Sequence, residues 1–296
     1  MNKHSEGYGR GQASIEDADL LLTDPAAVLE KLRAVLEAPT YEPPLLPAVA
    51  IELLELSRKE DASFIDVRRL MERDPLVAAK VLRCAQSAAY SGSSGTIRTM
   101  DEALVRLGMR TLGSIFMETT MRMKVFRAAG YEEPMRSLGR HSAATAHLAR
   151  HVARRTAVFD EYSFLCGLLH DVGIAASFIV LTQLGRGQAV PSFDDVWSAV
   201  REVHETASAA VCRAWKLPPD LTLVIAHHHQ VSIDGRVHPV AAVLSLADWI
   251  AAEHGYAMGE EARRPLPLHL ASIGLTERDL APLVAECAGV VAQVQD

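Results

Sequence analysis

Gly167-Leu168-Leu169-His170-Asp171-Val172-Gly173 sets a His-Asp pair at the end of an apolar run that begins with Phe164 and Leu165. The apolar positions 164, 165, 168 and 169 recur at helical spacing, and a glycine follows at once. An imidazole beside a carboxylate at a helix end is a fragment of a divalent-metal site, provided that other ligands converge on it. Chance produces the dipeptide often. Its meaning therefore depends on the fold around it and on whether the chain supplies the partners.

The composition bounds the fold. At 296 residues, with 49% hydrophobic and 23% charged side chains, the chain has enough apolar material for one large globular domain or two smaller ones. Aromatic residues are only 5%, and Ala, Leu and Val dominate, which favours closely packed helices over a β-sandwich or barrel. A net charge of -7 argues against general nucleic-acid binding through a broad basic surface. Cys84, Cys166, Cys212 and Cys287 form no CxxC pair and sit in apolar helical contexts, as buried thiols of a reducing compartment do. No uncharged apolar stretch reaches membrane-spanning length, and residues 1–20 are polar without a signal-peptide core. A cytoplasmic protein with no membrane attachment is expected.

Read in order, residues 1–20 are expected to be disordered. Asp24-Pro25 reads as an N-cap followed by proline at the first helical position, opening a helix to about Ala38. Further helices are expected around Val49–Leu56, Ile65–Leu70 and Val77–Leu82, with a Ser/Gly loop at 91–95. Two more run to Leu107 and from Thr111 to Phe126, separated at Gly108. Gly130–Pro134 reads as a boundary between an N-terminal helical half, 21–130, and a second helical half, 131–258. In the second half, helices are expected at about 135–157, 159–171, 173–184, 192–200, 202–215, 219–229 and 238–254. A C-terminal segment, 259–296, carries an amphipathic helix opening at Leu275-Thr276, suited to packing on the core or on a second copy in a homodimer. No run of alternating strands is evident. The fold is read as all-α.

The histidines are distributed unevenly. Apart from His4, all of them lie from His141 onward, so histidine chemistry belongs to the second half. The candidate metal ligands are His141, the His170-Asp171 pair, His204, His228, His229 and Asp248. The adjacent pairs apart, each falls on a different helix or helix end, and a helical bundle can point such residues at one interior point. A single histidine on an apolar helix is more often a hydrogen-bonded core residue, and Asp248 in the run Leu244-Ser-Leu-Ala-Asp-Trp-Ile needs a partner of some kind if buried. Residue by residue, metal binding and ordinary structural roles remain open. Arg136, Arg140 and Lys216 are nearby cations that suit either a phosphate-bearing ligand or a solvated helix face.

Order and spacing carry more than the single residues. His141, His170-Asp171, His204, His228-His229 and Asp248 follow the pattern of the HD superfamily of metal-dependent phosphohydrolases. From about Leu46 to Asp248 the chain resembles HDOD-domain proteins, bacterial signalling modules related to HD-GYP domains. The resemblance is carried by Leu45-Leu46-Pro47, Arg73-Asp74-Pro75-Leu76, Ala85-Gln86-Ser87-Ala88-Ala89-Tyr90, Ala103 to Gly108, Arg140-His141-Ser142, Gly167 to Gly173, and His204 with Trp215-Lys216-Leu217-Pro218.

The resemblance implies a multi-helix HDOD fold and a divalent-metal site for Fe, Mn, Mg or Zn, dinuclear in its fullest form. Asp171 would bridge two ions, with His141, His170 and Asp248 on one and His204, His228 and His229 on the other. His170 and Asp171 would be the catalytic pair of an active enzyme. Arg140 and Lys216, by their place near the site and not by the resemblance, are the candidate phosphate contacts. Two departures bear on activity. Ile174 stands where HD-GYP enzymes carry a lysine after the motif, and Gln230 stands where they follow the histidine pair with Glu; the Gly-Tyr of the GYP signature is also missing. Two functions follow. One is a regulatory module that binds other signalling proteins, with metal and a (cyclic) nucleotide at the HD-type site. The other is a metal-dependent phosphohydrolase or phosphodiesterase.

Overall fold

The computed structural model describes residues 24–44, 63–71, 99–121, 127–156, 158, 160–184, 190–259 and 263–292, with isolated positions 52, 55, 56, 81 and 85. The expected disorder of residues 1–20, all but those isolated positions of the helices around Val49–Leu56 and Val77–Leu82, the 91–95 loop and the segments 45–47, 73–76 and 86–90 lie outside the described residues.

The described chain is all-α apart from one small hairpin. Helices α1 (Pro25–Leu36), α2 (Phe64–Met71) and α3 (Met100–Met121) come first. Then follow α4 (Glu132–Thr156), α5 (Asp160–Leu169), α6 (Val172–Leu184), α7 (Phe193–Ala214) and α8 (Pro219–Ala226). Strands β1 (Ser232–Ile233) and β2 (Arg236–Val237) precede α9 (Pro239–Glu253), α10 (Pro267–Ser272) and α11 (Glu277–Val291).

α5 and α6 are the centre of the bundle. α4 packs along α5, α7 packs along α6, and α9 spans α4 and α5. α6 is buried on nearly every face, from Val172 through Phe178 to Leu181, as a helix apolar all round must be. Tyr162–Leu184 is apolar enough by length and composition to cross a membrane, but 94% of that window is buried inside the fold. Its hydrophobicity is spent on the core.

α1 starts as its sequence indicates: Asp24 caps it, accepting from the Ala26 N–H at 3.2 Å, and Pro25 follows. It buries Val28, Leu32 and Leu36 against α6 and α7, and each such side chain contributes about 1.5–3 kcal/mol. Trp215 adds a tie by donating Nε1–H to the Pro44 carbonyl at 2.9 Å. Residues that precede Gly130–Pro134 are thus part of the core built by those that follow.

Three local expectations need correction. The helices placed at 192–200 and 202–215 are one continuous helix, α7, opened by a Ser192–Asp195 capping box. Nothing between Val200 and Glu202 breaks it. The segment after the histidine pair forms a hairpin: Ser232 pairs with Val237 and Ile233 with Arg236, leaving Asp234-Gly235 as a two-residue turn. Both turn residues have positive φ, 52° and 75°, the conformation that favours Asp-Gly in such loops. Third, α8 stops at Ala226, so His227–His229 stand in a turn and not on the helix. The break expected at Gly108 is present as a kink inside α3, at φ 74° and ψ 160°.

Candidate metal centre

The fold brings all seven candidate ligands to one place. His141 comes from the middle of α4, His170 and Asp171 from the turn between α5 and α6, and His204 from α7. His228 and His229 come from the turn after α8, and Asp248 from α9.

Two glycines explain how the motif reaches that point. A Cβ on Gly167 would stand 2.8 Å from the Ala146 Cα and 2.9 Å from the Thr145 carbonyl oxygen. A Cβ on Gly173 would stand 2.3 Å from the His204 carbonyl oxygen and 2.4 Å from the Ser208 nitrogen. The motif is therefore clamped between two backbones, α4 on one side and α7 on the other, each closer than a side chain permits. The Gly173 N–H donates to the Ser208 hydroxyl at 2.8 Å, which fixes α6 against the turn of α7 that carries His204.

The ligand atoms form two groups. His141 Nε2 lies 3.1 Å from His170 Nε2 and 3.4 Å from an Asp248 oxygen; His204 Nε2 lies 3.2 Å from His228 Nε2 and 2.9 Å from His229 Nε2. Within each trio the ligand atoms lie within 4.8 Å of one another. Asp171 stands between them. Its Oδ2 is 3.3 Å from both His141 and His170, and its Oδ1 is 3.6 Å from His204 and 3.5 Å from His228. The two trios are those implied by the superfamily resemblance.

The chemistry of these contacts fits a cation. His141 donates Nδ1–H to the Tyr256 carbonyl at 2.8 Å, His170 to Gly167 at 2.8 Å and His228 to Ile225 at 2.7 Å. His204 donates likewise to Arg201. A carbonyl only accepts, so each Nδ1 carries a proton and each ring turns its Nε2 to the centre, bare wherever the ring is neutral and protonated where, as on metal-free His141, the ring is charged. Bare nitrogens at 2.9–3.2 Å repel unless something positive lies between them. Two nitrogens bound to one ion at about 2.1 Å stand roughly 3.0–3.4 Å apart, close to the 2.9–3.2 Å found. The backbone carbonyls are the outer shell that orients metal-binding histidines. Asp171 Oδ1 is buried and has no hydrogen-bond partner among the described residues, an orphan that a cation would satisfy.

The electrostatics agree. Burial opposes ionisation of Asp171, but the surrounding imidazoles outweigh it and hold the carboxyl well below its usual range. Burial also opposes charge on His141, yet Asp171 and Asp248 raise it to about 9. Burial, with His228 and His204 beside it, lowers His229 to about 3, so that ring is neutral at physiological pH.

A cavity of about 440 Å³ opens over the cluster. His141, Asp171, His204, His229 and Asp248 reach it from below, and its walls include Ile174, Trp197, Arg201, Glu205, Met258 and Arg263. Ile174, the departure from the HD-GYP lysine, is thus an apolar wall beside the ligands. The proposed phosphate contacts lie elsewhere. Arg140 is held near Glu133 at 3.6 Å, Arg136 pairs with the same carboxylate, and neither they nor Lys216 line the cavity. Arg201 and Arg263 do. Arg201 sits one turn before His204 on α7, so helical spacing from a ligand was a usable signal for it. Glu205 was also missed; its Oε1 accepts the His229 N–H at 3.2 Å and lies 3.9 Å from His228 Nδ1.

Residues 44–231 match the model of the HDOD domain. The chain is an HDOD-domain protein. Solved structures share this fold at low identity. An HDOD domain protein of unknown function from Geobacter sulfurreducens is 18% identical with a TM-score of 0.64, over 92% of this chain and 97% of that one. A candidate metal-dependent phosphohydrolase from Shewanella amazonensis SB2B is 19% identical with a TM-score of 0.67, over 95% of this chain and 100% of that one. A candidate signal transduction protein from Marinobacter aquaeolei VT8 is 20% identical with a TM-score of 0.64, over 94% and 68%. Ribonuclease Y of Mycoplasma genitalium is 33% identical over 110 residues, which is 36% of this chain and 19% of that protein. The HDOD match ends before Asp248 and before Tyr256, whose carbonyl orients His141. Part of the cluster is therefore built by residues beyond the matched range.

Proposed function

We propose that this HDOD protein is a regulatory signalling module that holds two divalent ions and presents them to a phosphate-bearing ligand, with ligand occupancy read by a partner protein. The observation that carries the reading is the convergence of imidazole Nε2 atoms around a shared carboxylate, one oxygen of which has no hydrogen-bond partner among the described residues. His141, His170 and Asp248 would hold one ion, His204, His228 and His229 the other, and Asp171 would bridge them. Bound there, the ions would polarise phosphate oxygens and lower the pKa of a water. The protein's own part is orientation: four carbonyls fix the rings, and the two glycine contacts fix the helices. Ile174, where related enzymes carry lysine, and the uncharged Gln230 favour recognition over turnover. The signal-transduction description of the Marinobacter structure points the same way.

A second reading, metal-dependent phosphohydrolysis, is favoured by Glu205. This carboxylate lines the cavity beside the His204/His228/His229 trio, where it could accept a proton from a nucleophilic water. A panel of phosphoesters and cyclic nucleotides with Mn²⁺ or Fe²⁺ separates the two. Turnover that disappears in Glu205→Gln and Asp171→Ala establishes the enzyme. Silence across the panel, together with ligand-dependent partner capture, supports the module, and failure of the protein to take up any metal refutes both.

A further inference from the structure

One face of α7 runs from Trp197 through Arg201 to His204 and Glu205, at helical spacing, and all four line the cavity. Further lining comes from the segment after α9, where Met258 and Arg263 border the same space. That segment lies beyond residues 44–231, so the HDOD match does not reach this part of the lining. The start of the segment is tied down at two points. The Tyr256 hydroxyl donates to Val291 at 3.4 Å, and His254 Nε2 donates to Val284 at 2.9 Å, both on α11.

Trp197 is held by two neighbours. Its ring stacks on Phe193 with centroids 5.0 Å apart, and Gly259 lies against it, so close that a Cβ there would meet the indole nitrogen at 2.7 Å. Gly259 has φ +80°, a conformation that itself favours glycine. The cavity thus has a rigid aromatic wall, with Met258 and Ile174 as further apolar surface. Its charged lining is divided. Asp171, Glu205 and Asp248 lie with the metal ligands, while the two cations, Arg201 and Arg263, come from α7 and from the segment after α9.

We infer that Arg201 and Arg263 form an anion clamp for a phosphate monoester with an apolar or planar body, the phosphate held between the guanidiniums and the metal cluster and the body against Trp197 and Met258. This rests on the metal-binding reading above. Guanidinium is suited to the role because its planar fork meets a phosphate with two parallel hydrogen bonds. The space, about 440 Å³, lies within the range of small-molecule sites. The clamp supplies the cationic phosphate contact that Ile174 cannot.

The test uses the full chain loaded with Mn²⁺, metal content checked by elemental analysis, and calorimetric titration with phenyl phosphate and inorganic phosphate. Phenyl phosphate is expected to bind at least fivefold tighter than inorganic phosphate. Arg201→Gln and Arg263→Gln are each expected to weaken both probes about tenfold with metal content unchanged, and the lysine variants to recover part of the loss. Wild-type affinity in both glutamine variants of metal-replete protein overturns the clamp while leaving the metal reading intact. Equal affinity for the two probes overturns the apolar half of the site. A protein that takes up no metal overturns the reading beneath the clamp, and the clamp with it.

Discussion

Gly173→Ala is the most informative single perturbation of the scaffold. The added methyl would meet the His204 carbonyl oxygen at 2.3 Å, the Ser208 nitrogen at 2.4 Å and the Ala207 Cβ at 2.8 Å. Two of the three are backbone atoms, so no side-chain rotation relieves them. Reaching ordinary contact requires α6 and α7 to part by about 1 Å, and overpacking of that kind costs about 1–3 kcal/mol. The same movement stretches the buried Gly173 N–H to Ser208 bond, worth about 1–3 kcal/mol when its donor is left unsatisfied. Alanine's better helix propensity returns at most about 1 kcal/mol. A net loss of about 2–4 kcal/mol is expected in urea unfolding. Because His204 and Asp171 sit on opposite sides of this contact, metal affinity should fall about 10- to 100-fold, as it does when outer-shell support is lost. Gly139→Ala is the control: it is also helical, but a Cβ there meets nothing within 4 Å, so it should be neutral or mildly stabilising. Gly173→Ala with wild-type stability and full metal content would refute the argument that the glycine sets the α6–α7 spacing.

Other consequences follow from the cluster and its neighbourhood. His141 is raised to about 9 against an ordinary 6.5, because Asp171 and Asp248 outweigh its burial. Its charged form thus stabilises the metal-free fold fully below about pH 6.5 and is lost as pH rises through about 9. Metal must displace that proton, so calorimetric affinity should rise by up to about tenfold per pH unit across this window. A flat profile would contradict it. Val231 is buried and β-branched yet has φ 57°, a conformation costing about 1–3 kcal/mol. Val231→Gly relieves that strain while losing a buried side chain, so urea unfolding should show a loss below about 1 kcal/mol; a loss near 3 kcal/mol would mean no strain is stored. Saturating divalent metal at about 100-fold its Kd should add about 2.7 kcal/mol per site, seen as a rise in Tm that a chelator reverses and that Asp171→Ala abolishes.

Much of this was legible in the sequence because the candidate ligands are side chains whose order along the chain is fixed. His141, His170-Asp171, His204, His228-His229 and Asp248 were candidates by residue type, singled out by the resemblance of their order to the HD pattern, and each stands in the cluster. The all-α class was equally legible from low aromatic content and helical periodicity. Other features left no such trace. The Tyr256 contribution is a backbone carbonyl, which any residue provides. Arg263 reaches the cavity only through the path of the chain after α9. Arg140 was favoured for its place beside His141, but neighbours in sequence on a helix point about 100° apart, and its side chain turns to Glu133 instead. The hairpin at 232–237 has two-residue strands, too short for alternation to show, although its Asp-Gly turn was a readable signal. The unbroken α7 shows the reverse error, a division made where no breaker residue stands.

The central claim is that seven side chains hold two ions in two trios bridged by Asp171, and counting bound metal per chain tests it most directly. Native mass spectrometry with elemental analysis, after loading with Mn²⁺ or Zn²⁺, should find two ions in the wild type. His141→Ala should retain one and His229→Ala one, and Asp171→Ala should retain neither at comparable affinity. A folded wild-type chain that carries no metal after loading, or variants from both trios that keep two ions, would contradict the account.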